Sequence, residues 1–141
     1  MKLMLDLNVL LDVVQRRESF YLASAILLSK VVEGEENGCV PSHAVTTLHY
    51  IIEKSAGKER AEQFTDWLLT YLEIVPQDKA LFARARTLAM TDFEDAALAS
   101  AAEVAKCDLI LTRNVTDFVG SPVQTMTPEE FLVPQISSLP T

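Results

Sequence analysis

Four aspartates occupy the positions where this chain could do chemistry: Asp6, Asp92, Asp95 and Asp117. Asp6 halts a short apolar run, and Asp117 stands five residues beyond the clearest strand of the chain, at 108–112. Asp92 and Asp95 are three apart at the start of an alanine-rich segment, a spacing that puts both on one face of a helix. In open α/β sheets the functional crevice lies outside the carboxyl ends of the strands, where these residues fall. Loops that bring them together crowd carboxylates that repel one another, and such a cluster holds protons or a cation. Oxygen donors without Cys or His beside them select Mg²⁺ or Mn²⁺. Asn8 and Asn114 read as turn residues that orient the acids by hydrogen bonds.

Three of the four aspartates also have a plainer use, and Asp95, deeper in the helix beside small apolar residues, has less of one. Asp6 suits a helix cap, Asp92 a carboxylate stabilised by a helix dipole, and Asp117 an ordinary turn. Arg113 fits either a phosphate contact or a partner for the acids. His43 and His49, six apart, share no metal-ligand spacing. Arg16, Arg17, Lys54, Lys58 and Arg60 read as solvated charge, and Trp67 as a core or interface anchor.

The elements that must position these residues follow from periodicity. Residues 2–5 form a buried strand, followed by a helix from Val9 and a second over 20–32 that stops near Gly34. A minimal strand at 39–40 leads to a helix opened by Pro41-Ser42 and ended at Gly57. A helix over 58–71, a strand over 72–75 and a helix over 78–90 come next. Thr91 with Glu94 predicts a capping box for an alanine-rich helix reaching Lys106. The strand at 108–112, another at 123–126 and a final helix capped by Thr127-Pro128-Glu129-Glu130 complete the order. Strands alternating with helices predict a single-domain α/β fold, a largely parallel sheet flanked by helices in three layers. The domain is expected over residues 1–133, with a frayed tail over 134–141.

Composition narrows the class. With 141 residues, 49% apolar and 23% charged, the chain suits one self-standing core. A net charge of −8 argues against broad coating of nucleic acid, whose affinity comes mainly from basic residues. Cys39 and Cys107 sit in apolar stretches and suit buried, reduced thiols. The apolar runs fall short of the ~20 residues a membrane helix needs, so a cytoplasmic protein without a membrane partner is expected.

Three segments together resemble the PIN-domain family. Asp6-Leu7-Asn8-Val9-Leu10-Leu11-Asp12 is similar to its opening Asp-Thr-Asn-Val-Leu-Leu-Asp, and Asp92-Phe93-Glu94-Asp95-Ala96-Ala97 to its helix-borne acidic motif. Thr112-Arg113-Asn114-Val115-Thr116-Asp117-Phe118 resembles its late Thr-Arg-Asn-x-x-Asp-Phe, and Thr127-Pro128-Glu129-Glu130-Phe131-Leu132 matches as well. The resemblance implies a PIN-like fold and a Mg²⁺-dependent (or Mn²⁺-dependent) endoribonuclease, commonly the VapC-type toxin of a bacterial type II toxin–antitoxin pair. It implies Asp6, Asp95 and Asp117 as catalytic metal ligands with Asp92 as a fourth, and Asn8, Thr112 and Asn114 in support. Its expected partners are RNA, an antitoxin whose tail plugs the cleft and a second copy of the chain. Arg16-Arg17 would flank the RNA path. The dimer is expected through residues 42–71, where Leu48, Tyr50, Ile51, Phe64, Trp67 and Leu68 exceed the needs of one sheet face.

Two positions depart from the family pattern. Leu7 replaces the usual Thr after the first Asp, and no Asp or Glu stands near Thr47, where the family carries its second acid. That loss bears on the number of metals and motivates an alternative, a PIN-like module that binds RNA or protein without cleaving it. A phosphotransfer fold of the haloacid dehalogenase type would want an Asp where Asn8 stands, and a receiver domain a Lys where the late strand ends in Thr112-Arg113.

Overall fold

The structure is a computed structural model that describes residues 1–137, with side chains to residue 133. Its centre is a parallel sheet in the order β3-β2-β1-β4-β5, formed by β1 (Lys2–Leu5), β2 (Asn37–Pro41), β3 (Glu73–Val75), β4 (Leu109–Leu111) and β5 (Thr125–Met126). Met4 pairs in register with Cys39 on one side and Ile110 on the other. Successive side chains of a strand point to opposite faces, so the apolar run of β1 supplies two cores. Leu3 and Leu5 join Val40, Leu109 and Leu111 beneath α1 (Leu7–Val14), α2 (Tyr21–Val32), α3 (Ser42–Ala56), α4 (Lys58–Tyr71) and α7 (Pro128–Ser137). Met4, Cys39, Val75 and Ile110 face α5 (Lys79–Thr87) and α6 (Phe93–Val104). The three-layer α/β/α architecture predicted from the alternation is the one observed.

The alanines of α6 explain how the acid-bearing helix sits so close to the sheet. Ala99, Ala101 and Ala102 are fully buried, and their small side chains let the backbone approach Met4 and Ile110.

Helix boundaries differ from expectation where capping chemistry offered two solutions. Asp92, not Thr91, is the N-cap of α6, its Oδ1 accepting from the Asp95 amide at 2.9 Å. Asp outranks Thr as a cap, and Glu94 is thereby freed from the predicted capping box. The box occurs instead at α7, where Thr127 N–H donates to Glu130 Oε1 and Glu130 N–H to Thr127 Oγ1, both at 3.1 Å. Helix α5, capped by Asp78, ends at Thr87 rather than 90, because Leu88 turns extended and packs with Met90 against Ala85 and Ala96. Helix α6 ends at Val104, short of Lys106, which takes a left-handed φ of 58° to enter β4. Pro41 closes β2 in extended conformation and stands at the N-cap of α3, while Ser42 turns its hydroxyl to Gln77. Gly57, at φ 94°, makes the sharp corner between α3 and α4. Strand β5 is reduced to two residues of the expected four.

Much of the apolar stripe expected to form a dimer is internal. Leu48 and Leu68 are buried where α3 packs on α4, and Tyr50 is exposed with Lys54 over its ring. Phe64 and Trp67 stack at 5.7 Å on the rim of the core. Helix α7 carries the backbone past Pro134 to Ser137, and the remainder of the expected tail, 138–141, lies outside the described residues. Among the described residues no helix is long and apolar enough to cross a membrane.

Candidate active site

The chain runs outward from β1 through β2 to β3 and then returns to β4 on the other side of β1. This reversal opens a crevice beyond the carboxyl ends of β1 and β4, the usual position of a ligand site in an open α/β sheet. Asp6 immediately follows β1 and Thr112 immediately follows β4.

These two loops are tied directly together. The Asp6 amide bonds to Leu111 O at 3.0 Å, continuing the ladder by one residue. Asp6 Oδ1 accepts from the Leu7 amide at 2.7 Å, while Oδ2 accepts from Thr112 Oγ1 at 2.8 Å and Asn8 Nδ2 at 3.2 Å. Thr112 Oγ1 in turn accepts from the Asn114 amide at 3.1 Å, and Asn8 Oδ1 from the Arg113 amide at 3.3 Å. Asp6 therefore has one fixed orientation. It is only 8% exposed, and burial pushes its carboxyl above the usual range even though Thr112 and Leu7 donate to it.

Asp95 lies one turn into α6 and is half-buried beside Ala96. Its carboxyl is pushed up to about 7, first by burial and then by the charges of Asp6, Asp92, Asp117 and Glu94. Asp92 caps the helix and is exposed. Asp117 is exposed in the 3₁₀ turn Val115–Phe118, which the buried Phe118 anchors.

Asp6, Asn8, Thr112 and Asn114 are thus one hydrogen-bonded unit, and the charges of Asp6, Asp92, Asp117 and Glu94 converge on Asp95. Among the described residues no three Asp, Glu, His or Cys side chains stand together as a ready-made metal cage. The donor chemistry nonetheless fits a hard divalent cation. The groups are carboxylates, and Asp95 retains a proton near neutrality because burial, and then the neighbouring acids, oppose its charge.

Three further residues at this edge escaped the sequence reading. Asp12 is 1% exposed and sits between Arg113 Nη1 at 3.3 Å and Arg17 Nη1 at 3.5 Å. Arg113, which the sequence left open between a phosphate contact and an acidic partner, pairs with Asp12 and lies over the Phe20 ring at 4.5 Å. The available signal was a lone acid interrupting the apolar run Leu10-Leu11-Asp12-Val13-Val14. Glu94 reaches toward α3, with Oε1 3.6 Å from His43 Nε2. Gln77 Oε1 accepts from the His43 amide at 2.8 Å and lies 3.0 Å from its Nδ1. Thr47 donates to His43 O at 3.0 Å, and this corner of α3 holds a histidine–glutamate contact with no acid beside Thr47. His49 bonds elsewhere, to Thr65 at 2.8 Å.

A separate apolar groove of about 450 Å³ runs between α1, α2 and α4, lined by residues including Val13, Val14, Leu28, Val32, Phe64 and Trp67. It does not include the carboxylates.

A profile described as the PIN domain matches residues 2–116. Among solved structures, the chain is similar to VapBC2 from Rickettsia felis bound to a promoter DNA fragment. That match has 21% identity and a TM-score of 0.68, covering 90% of this chain and 98% of the other. DNA-bound VapBC from Salmonella typhimurium matches at 18% identity and a TM-score of 0.69, with coverages of 91% and 98%. FitAcB from Neisseria gonorrhoeae matches at 17% and 0.68, with coverages of 90% and 98%. No curated protein matches in sequence.

Proposed function

The chain belongs to the PIN-domain family, and from that premise we propose that it is a divalent-metal-dependent endoribonuclease, the toxin of a VapBC-type toxin–antitoxin pair. The observation that carries this reading is the charge convergence at Asp95: a carboxyl held near 7 by burial and by Asp6, Asp92, Asp117 and Glu94, at the switch point of the sheet. Asp6, Asp95 and Asp117, with Asp92 beside them, would hold Mg²⁺ or Mn²⁺. When bound, such a cation makes a coordinated water more acidic and stabilises charge developing on phosphate oxygens.

The chain's own residues prepare this chemistry. Thr112 and Asn8 fix the Asp6 carboxylate, and the Asn114 amide fixes Thr112. Without a cation the Asp95 carboxyl keeps its proton to about pH 7, and it would release that proton on binding one. Arg113, held by Asp12 and by the Phe20 ring, keeps a fixed positive charge beside Asp6, where an RNA phosphate would approach. At a net charge of −8, the pocket needs such local cations to receive an anionic substrate.

The proposed partners are RNA, an antitoxin and a second copy of the chain, in the cytoplasm, with residues 1–133 as the working domain. The antitoxin assignment draws on the neighbours, which are described as VapBC or FitAB complexes. A second reading, a PIN domain that binds without cutting, rests on the absence of an acid near Thr47. Incubating single-stranded and structured RNA with the protein separates the two: cleavage that requires Mg²⁺ or Mn²⁺ and stops in EDTA supports the nuclease. Binding without cleavage supports the module, and cleavage unchanged in EDTA contradicts the metal mechanism.

A further inference from the structure

Behind the acidic edge, the fold joins its two cysteines. Cys39 lies in the middle of β2, and Cys107 closes the turn between α6 and β4. Their sulfur atoms are 3.2 Å apart across 68 residues of chain, and both thiols are free. Cys39 is fully buried, while Cys107 is 9% exposed at the rim of the same core cluster. No other part of the site uses them.

We propose that Cys39 and Cys107 are a modification site, a dithiol that a hydroperoxide oxidises to one intramolecular disulfide. The contact is already within van der Waals distance, and bond formation needs an approach from 3.2 Å to roughly 2 Å. Cys107 is the sulfur that reacts with the oxidant, because it lies at the surface of the pair. The hydrogen bond shared with Cys39 and the nearby Lys2 ammonium favour the Cys107 thiolate over burial, whereas the same bond and burial push Cys39 up.

The chemistry balances in two steps. The Cys107 thiolate attacks a peroxide oxygen, an S–O bond forms, and the O–O bond breaks. The leaving alkoxide or hydroxide takes the proton that Cys107 gave up. Cys39 then attacks the Cys107 sulfenic sulfur, the S–S bond forms, the S–O bond breaks, and hydroxide leaves as water with the Cys39 proton. Two thiols and one hydroperoxide yield a disulfide, an alcohol (water, for hydrogen peroxide) and water. The bond would tie β2 to the far end of the helix whose first turn carries Asp95, locking both to the sheet without touching the carboxylates. Oxidation then stabilises the fold by closing a long loop in the unfolded chain.

The test uses the full chain and hydrogen peroxide. After native oxidation, quenching, unfolding and alkylation, the expected product is about 2 Da lighter than the reduced chain and carries no alkyl group. It runs as a monomer without reductant and melts higher by about 5 °C or more. In the C39S variant, dimedone should label Cys107; in C107S, Cys39 should label at least ~10-fold more slowly, following its burial. Two alkylatable thiols after oxidation, disulfide-linked dimers, or faster labelling of Cys39 would overturn the proposal. These readouts are independent of nuclease activity.

Discussion

Asp95 is the residue on which the electrostatics of the site turn. Its carboxyl keeps a proton to about pH 7 in the fold, against an ordinary value of 3.8. A raised folded value means that the folded chain binds more protons, so the associated stability is fully present below about pH 4 and is lost as pH rises to about 7. Buried Asp6 and Asp12 are shifted in the same direction. We therefore expect the melting temperature in EDTA to fall between pH 4 and 7.5, and Asp95→Asn to flatten that slope and melt higher than wild type at pH 7.5. A steeper slope in the variant would show that Asp95 is not the repelled group. Asp6 is a poorer probe of repulsion, because it also receives Leu7, Asn8 and Thr112. Asp6→Ala should destabilise at any pH by stranding those donors. Asp12→Ala should cost about 2 kcal/mol in urea unfolding. Breaking a buried pair costs roughly 3–5 kcal/mol, and here Arg17 and Arg113 keep partial access to water. A loss below about 0.5 kcal/mol would mean that the pairing does not hold the edge together.

At the scale of elements, helix α6 carries two roles at one residue. Asp92 caps the helix and adds charge to the site, and two substitutions separate these. Asp92→Ser keeps a capping oxygen and removes the charge, whereas Asp92→Ala removes both, so Ala should be about 1 kcal/mol less stable than Ser by chemical denaturation. Equal stabilities would return the cap to Thr91. This ambiguity marks the limit of what the sequence made legible. The apolar run Leu109-Ile110-Leu111, the strand-to-acid step at Leu5-Asp6 and the alanine-rich helix were readable because burial on both sheet faces and close packing each demand a narrow residue set. The α6 cap was not, since Thr91 with Glu94 satisfies the local pattern as well as Asp92 does. The contact of Glu94 with His43 depends on how α3 lies against α6, a relation that neither segment encodes alone. Asp12 was visible as a lone acid in an apolar helix with Arg17 five residues on, but its second partner, Arg113, reaches it only through the β1–β4 pairing.

For the molecule as a whole, the sheet order converts distant sequence motifs into one acidic edge, and it leaves a separate apolar groove around Phe64 and Trp67. Burial of Leu48 and Leu68 removes part of the surface first assigned to self-association, so a dimer must rest on this groove and its exposed neighbours such as Leu69 and Tyr71. Sedimentation at tens of micromolar should give twice the 15.6 kDa chain mass, and a monomer there would assign the groove to a different use. A Mg²⁺ ion held only by the folded arrangement of acids, as proposed, would add about 1.4 kcal/mol of stability at ten times its dissociation constant. An unchanged melting temperature would separate the acids from metal binding. Cutting of RNA by these carboxylates through a bound cation is what we propose for the site. It is tested most directly by following cleavage of one RNA by wild type and Asp95→Asn across a Mg²⁺ titration with an EDTA arm. Expected are Mg²⁺-dependent cleavage by wild type, none in EDTA, and a loss of at least ~10²-fold in the variant; equal rates for the two proteins, or cleavage that persists in EDTA, would contradict a metal-dependent role for Asp95.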